Sequence, residues 1–341
     1  MTISTTLLAF LVSFGLTRLF CNPASRLHIL DHPNERSLHS RPVPRSGGIA
    51  VLGGLAGGGI IFGAFFYPLS ASLGLGLALA AVLLLAVVSF LDDRAELSSG
   101  VRLLAHILAA ALLLGAGLRL NPVEIPGLIL ILPPWLAFLL SLLFIVWMIN
   151  LYNFMDGMDG FAGGMAVIGF TSFAILGWQA GNALFTQISL LIAGAAAGFL
   201  WFNLPPARIF LGDTGSSVLG LLAAALSLWG NRDGLFPLWA AGLIFSPFIV
   251  DATVTLLRRT LRGEKIWLPH KTHYYQRLVQ LGWGHRKTVL LEYCLMLACS
   301  LSALLAEYLS TGWQVGLLVT WILIYSALMV RVKRLEQQTT G

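Results

Sequence analysis

With 341 residues, of which 57% are hydrophobic and 11% charged, and a mean hydropathy of +0.83, the chain falls outside the water-soluble class, where about 25% of residues are charged. Its formal charge of +6 does not mark a nucleic-acid binder, because the basic residues lie in short polar stretches between apolar runs and form no single tract. Cys21, Cys294 and Cys299 sit in or beside apolar runs without CxxC or Cys/His spacing, so neither a disulfide framework nor a zinc site is implied.

In chain order, the apolar runs predict helices at approximately 3–20, 47–68, 73–91, 102–120, 134–151, 161–180, 183–202, 215–230, 236–257, 288–309 and 313–330. Each is about as long as a bilayer requires. The expected class is all-α, a polytopic integral membrane bundle of about eleven spans, ten being the alternative count. The first run has no basic residue before it and Arg18 and Arg26 after it, the reverse of a cleavable leader, so it is expected to stay as a helix. With the N-terminus outside, all 21 lysines and arginines except Arg119 and Arg232 fall on the inner side, as the positive-inside rule requires. The N-terminus is then periplasmic and the C-terminus cytoplasmic. The Gly-rich start of the second helix lacks the strand and GK[ST] ending of a phosphate loop; Gly53/Gly57 and Gly54/Gly58 predict close helix packing instead. Asn121 to Pro134 reads as an outer loop with a short hairpin.

Carboxylates are costly near a bilayer and persist where they have work to do. Asp92, Asp93, Asp156, Asp159 and Asp213 all fall on cytoplasmic helix ends or loops. In SFLDDRAEL, the adjacent Asp92 and Asp93 suit a divalent cation, or one base beside one metal contact. In NLYNFMDGMDGFAGG, Asn153, Asp156 and Asp159 recur every third residue, which on a helix gathers them into one anionic sector. In PPARIFLGDTGSSVLG, Asp213 stands at a predicted helix N-terminus, where free N–H groups suit phosphate oxygens and Asp213 suits a hard cation, with Phe210 placed to stack on a base. A cap formed by Asp213 or Thr214 is the simpler alternative. In RRTLRGEKIWLPHKTHYYQRLVQLGWGHRK, His270 and His273 among Lys271, Tyr274 and Arg277 are candidates for a diphosphate; in the N-terminal loop Arg36, His39, Arg41 and Arg45 are candidate phosphate contacts. Asp251 lies inside the ninth helix and is expected to face the bundle interior, with Pro247 kinking that helix.

These pieces, P-R-S-G-G-I-A, L-D-D, N-F-M-D-G-M-D-G, F-L-G-D-T-G-S and P-H-K-T-H in this order, resemble the polyprenyl-phosphate N-acetylhexosamine-1-phosphate transferase superfamily, and the resemblance runs along nearly the whole chain. It implies one transmembrane phospho-glycosyltransferase domain over 1–341, with cytoplasmic active-site loops at about 21–46, 92–102, 151–160, 203–214 and 258–287. It implies Asp92 and Asp93 as the catalytic pair and Asn153 and Asp213 as ligands of Mg²⁺, with Mn²⁺ as the alternative. Asp156, Asp159 and Phe210 would line the nucleotide site, and His270, His273, Arg36, His39 and Arg45 the phosphates. Ser37 and His39 stand where the family pattern has a lysine. The implied partners are a UDP-N-acetylhexosamine or 6-deoxy derivative, undecaprenyl phosphate, membrane lipids and, as an option, a second copy in a homodimer. The implied products are UMP and a lipid-linked diphospho-sugar. The spaced His270 and His273 match the O-antigen-initiating branch better than the muramyl-pentapeptide branch, which carries an HHH run. A lipid-linked solute transporter is the rival from another class; it predicts charges near the midplane and matching broken helices, whereas these carboxylates gather at one face.

Overall fold

The computed structural model describes residues 2–33, 38–65, 72–120, 122–265 and 270–340. Its helices are α1 (Thr2–Phe20), α2 (Gly47–Phe65), α3 (Leu73–Ala95), α4 (Ser99–Gly115), α5 (Pro134–Phe154), α6 (Phe161–Gln179), α7 (Ala183–Asn203), α8 (Gly212–Arg232), α9 (Leu238–Ile244), α10 (Ser246–Leu261), α11 (Tyr274–Leu278), α12 (Gly284–Ala306) and α13 (Thr311–Thr340). A π-helical turn at Val279–Trp283 joins α11 to α12. Among the described residues, eight helical segments are long and apolar enough to cross a membrane, and the bent pair α9 and α10 makes a ninth. The other two predicted spans are also helical: α4 is short at 17 residues, and α8 opens on the polar run GDTGSS. The chain is a polytopic all-α membrane protein.

The bundle is built around α6 and α7, buried over 72% and 61% of their spans, whereas α3 and α13 are buried over only 17% and 11%. The rings of Phe161, Phe170, Phe173, Phe185, Phe245 and Phe248 fill the centre. The peripheral helices turn large apolar groups outward, among them Trp313, Val315, Val319, Ile322 and Leu323 on α13. In water such a face would be an association patch; against lipid tails it carries no such cost. The predicted glycine packing is present. A Cβ on Gly54 would stand 2.5 Å from Ala9 O, and one on Gly58 2.9 Å from Thr5 O, so α2 lies on the backbone of α1.

The ninth span is broken. α9 and α10 meet at 82°, and Pro247 at the start of α10 cannot donate to Leu243 O. The Ser246 hydroxyl donates to that carbonyl instead, at 2.7 Å, which satisfies it inside an apolar bundle. The loop between α4 and α5 forms the expected hairpin, β3 (Val123–Ile125) against β4 (Leu128–Leu130). An antiparallel pair in the N-terminal loop, β1 (Leu30–Asp31) with β2 (Val43–Pro44), was not expected from the sequence. It brings Asp31, His39 and Arg45 to the bundle end where α3 and α5 finish and α4 and α8 begin.

Candidate active site

At that end a cleft of about 950 Å³ opens between the helices. Asp92, Asp93, Asn153, Asp156, Asp159, Phe210, Asp213, His270, His273, His39 and Arg45 all line it. Arg36 lies outside the described residues.

Two motifs that are far apart in sequence form one unit of the wall. The Gly47 and Gly48 N–H groups at the start of α2 donate to Phe210 O and Leu211 O at 2.9 and 2.7 Å, and Phe210 N–H donates to Pro44 O at 2.7 Å. A Cβ on Gly48 would lie 2.2 Å from Gly215 N, so the starts of α2 and α8 touch backbone to backbone. Gly212 has φ of +73°, and a Cβ there would sit 2.3 Å from Arg45 O. P-R-S-G-G and F-L-G-D-T-G are thus the two halves of one close contact.

Asp92 and Asp93 have different work. Neighbouring residues on a helix point about 100° apart, and Asp93 turns into the protein. Its Oδ1 accepts from Asp213 N–H at 3.0 Å, and its Oδ2 accepts from Thr214 N–H at 3.0 Å and from the Thr214 hydroxyl at 2.6 Å. Asp93 therefore caps the N-terminus of α8 from another helix, and neither Asp213 nor Thr214 serves as its own cap. That leaves the Asp213 side chain for the cleft, where its Oδ1 accepts from Asn153 Nδ2 at 2.7 Å. Asn153 Nδ2 also donates to Ser216 Oγ at 3.1 Å. Asp92 faces Asp213 at hydrogen-bonding range; its Oδ1 accepts from Leu97 N–H at 2.6 Å, and Arg102 reaches its Oδ2 at 3.4 Å.

The expectation of Asn153, Asp156 and Asp159 on one helical face is corrected. α5 ends at Phe154, and Asp156 to Gly160 form a turn before α6, with Gly160 in the left-handed region at φ +75°. Glycines at 157 and 160 let the chain leave the helix there. Asp156 still faces the cleft; burial first, then the Asp213 and Asp93 carboxylates, hold its carboxyl well above the usual range. Asp159 is committed to structure: Oδ2 accepts from Ala207 N–H at 3.0 Å, and Oδ1 lies 3.0 Å from His285 Nδ1.

The histidine loop is anchored by Asp251, which is buried as expected. It accepts from the Tyr274 and Tyr275 N–H groups at 2.9 and 3.1 Å, capping α11, and from His273 Nδ1 at 3.2 Å. His273 is thereby held as a buried post, while His270 lies beside it with ring centroids 4.8 Å apart. Burial, then His273 and Arg259, push the His270 imidazole down to about 4, so it is neutral near pH 7. On the opposite rim, the His39 ring lies 4.9 Å from Phe210, and Arg45 stands 3.7 Å from Asp31.

The cleft continues from the carboxylates into an apolar arm lined by Leu103 of α4, Leu143, Val146 and Trp147 of α5, and Leu256 and Leu257 of α10. Sequence reasoning missed Arg102, His106, Asn150, Asp31 and His285, which also line the cleft. Arg102 is one of the basic residues of the positive-inside pattern, and Asn150 lies one turn before Asn153. Among the described residues no three histidines, cysteines or acids are grouped to hold a metal ion. The oxygen donors here, Asp213 with Asp92 opposite, suit the ion that needs least of a protein: Mg²⁺ takes one or two carboxylates and fills its shell with water and substrate phosphates.

A model of glycosyl transferase family 4 matches residues 75–231, which include the Asp92, Asn153 and Asp213 segments. The chain is 31% identical over 338 residues to the probable undecaprenyl-phosphate N-acetylglucosaminyl 1-phosphate transferase of Bacillus subtilis, covering 97% of this chain and 92% of that protein. It is 32% identical over 303 residues to the decaprenyl-phosphate N-acetylglucosaminephosphotransferase of Mycobacterium tuberculosis, covering 79% and 74%. It is 32% identical over 148 residues to the phospho-N-acetylmuramoyl-pentapeptide-transferase of Chlorobium chlorochromatii, covering 38% and 40%. The site and these relatives together show that the chain belongs to glycosyl transferase family 4 and is a multi-pass membrane transferase.

Proposed function

We propose that the protein transfers an N-acetylhexosamine 1-phosphate from its UDP-sugar to undecaprenyl phosphate, with Mg²⁺ as cofactor, on the cytoplasmic face of a bacterial inner membrane. The observation that carries this reading is the shape of the cleft: one chamber runs from carboxylates and cations at the helix ends into an apolar arm between α4, α5 and α10. A soluble phosphosugar donor needs the first part, and a phosphate attached to a long hydrocarbon needs both. The basic residues at this end and the positive-inside bias support the cytoplasmic side.

In this reading an acceptor phosphate oxygen attacks the β-phosphorus of the UDP-sugar in line. The new P–O bond forms as the bond to the UMP oxygen breaks, and UMP leaves. Phosphoryl transfer depends mainly on position and charge neutralisation, and Mg²⁺ would neutralise charge on the diphosphate. Asp213 and Asn153 would hold the ion, with Asp92 opposite; the Asn153 amide nitrogen also fixes Asp213. A phosphate monoester has its second pKa near 6, so Asp92 need only orient the acceptor or remove a residual proton. His270, neutral, would hydrogen-bond the diphosphate, and Phe210 would lie against uracil beside Asp156.

The near full-length match to an N-acetylglucosaminyl 1-phosphate transferase, against 38% coverage for the muramyl-pentapeptide relative, supports an N-acetylhexosamine donor; that the product is destined for envelope polysaccharide, O-antigen included, is part of the proposal. Purified protein with undecaprenyl phosphate and Mg²⁺ should release UMP from UDP-N-acetylglucosamine, UDP-N-acetylgalactosamine or a 6-deoxy derivative. Folded protein that releases none from any of them refutes the reading.

A further inference from the structure

His106 lines the cleft and has no part in the chemistry above. His106 stands one helical turn after Arg102 on α4, so the two side chains share a face, and both line the cleft. α4 begins with Ser99 at the carboxylate end of the bundle and runs inward, which sets His106 roughly 10 Å along the helix from that end at 1.5 Å per residue. Across from it is Asn150 of α5, one turn inward of Asn153. These residues mark the seam where the carboxylate chamber passes into the apolar arm.

The hydrogen bonds at the seam fix which ring nitrogen carries the proton. Asn150 Nδ2 donates to Val146 O at 2.7 Å, and the same nitrogen lies 3.1 Å from His106 Nδ1. A carbonyl accepts only from a donor, so the amide nitrogen, not its oxygen, faces this side, and its second hydrogen points to Nδ1. Nδ1 is then the acceptor, and in the neutral ring Nε2 carries the proton. Among the described residues Nε2 has no hydrogen-bond partner, and it is not sealed away from the cleft. Arg102 commits one nitrogen to Asp92 at 3.4 Å and remains 41% exposed, which leaves further donors for a ligand.

An amphiphilic acceptor that lays its hydrocarbon in the apolar arm must place its phosphate at this seam. We infer that Arg102 and the Nε2–H of His106, aimed by Asn150, bind the acceptor's phosphate and hold it against Asp92. This rests on the proposed transferase reading and adds the residues that bind the lipid phosphate. His106 acts as a neutral donor and not as a base, since the nitrogen facing the cleft already carries the proton. Asn150 is a positioning residue.

The test is the split between the two substrates. A hydrogen bond to a charged group corresponds to roughly 10- to 100-fold in affinity, so His106→Leu should raise the KM for polyprenyl phosphate by that factor and shift the KM for the UDP-sugar by less than about twofold. His106→Gln, which keeps an N–H donor, should recover most of the loss. Binding of farnesyl phosphate without any UDP-sugar should follow the same order. Asn150→Leu removes the donor that makes Nδ1 the acceptor without adding charge, so the Nε2–H is no longer fixed, and it should weaken farnesyl phosphate binding even if His106→Leu does not fold. A wild-type acceptor KM in His106→Leu overturns the inference, as does equal loss for both substrates with no recovery by His106→Gln, which marks a tie between α4 and α5 only. A wild-type protein that forms no lipid-linked product with any donor overturns the proposed function, a result distinct from either of these.

Discussion

The division of labour between Asp92 and Asp93 can be tested by separating stability from turnover. Asp93→Ala leaves the N–H groups of Asp213 and Thr214 and the Thr214 hydroxyl without their acceptor. A buried unpaired donor costs about 1–3 kcal/mol, and loss of an N-cap alone about 0.5–2 kcal/mol. The three donors share one carboxylate and one helix end, so these costs overlap, and a loss of about 3–5 kcal/mol is expected. Asp93→Asn keeps one acceptor oxygen and should lose about half as much. Asp92→Asn keeps an acceptor for Leu97 N–H and removes a carboxylate facing Asp213, so its stability should lie within about 1 kcal/mol of wild type while turnover falls by about 100-fold or more. Unfolding followed by tryptophan fluorescence in nanodiscs, paired with UMP release at a temperature where every variant is folded, reads both quantities. An Asp93→Ala protein as stable as wild type, or an Asp92→Asn protein less stable than it, refutes the assignment.

Further outcomes follow from the same geometry. Asp213→Asn should abolish turnover that chelation of Mg²⁺ also abolishes and added Mg²⁺ restores, measured as UMP release; normal activity in the variant removes Asp213 from the metal site. Gly212→Ala should impair folding and activity together, because its Cβ meets Arg45 O at 2.3 Å in a left-handed backbone; an unperturbed melting curve contradicts this. The His270 imidazole is lowered to about 4 from about 6.5 in the unfolded chain. Between those values the unfolded chain binds more protons, so this group's stabilisation is present above pH 6.5 and lost as pH falls toward 4. His270→Gln should flatten that part of the melting-temperature profile, and an unchanged profile counts against the burial argument. Glu336 at the end of α13 pairs bidentately with Arg277, whose guanidinium stacks over Tyr274 at 4.6 Å; Glu336→Ala should make the 270–277 loop more open to proteolysis, and equal cleavage rates would show that the clamp is idle.

Hydropathy and charge carried much of the fold, because lipid-facing residues and basic loops obey a one-dimensional rule. Each predicted span has its helix, and Pro247 marked the break in the ninth. The short strand pair was not visible, since Leu30–Asp31 and Val43–Pro44 are too brief for a periodic signal; the second is held in part by Phe210 N–H bonding to Pro44 O, about 165 residues away in sequence. The site residues were legible by type and not by task. Asp92 and Asp93 read alike until the helix turned one inward, and the period of three through Asp159 suggested a helix that Gly157 and Gly160 end. Asp251 carried a signal only as a charge in an apolar run; its capping of α11 depends on a contact between segments more than 20 residues apart.

A donor labelled at one atom tests whether the sugar moves together with its phosphate. With UDP-N-acetylglucosamine carrying ³²P at the β-phosphorus, undecaprenyl phosphate and Mg²⁺, the label should move into the butanol-extractable lipid and unlabelled UMP should remain in water. Label left in the aqueous phase as UDP while sugar enters the lipid, or no transfer of either, would contradict the proposed reaction.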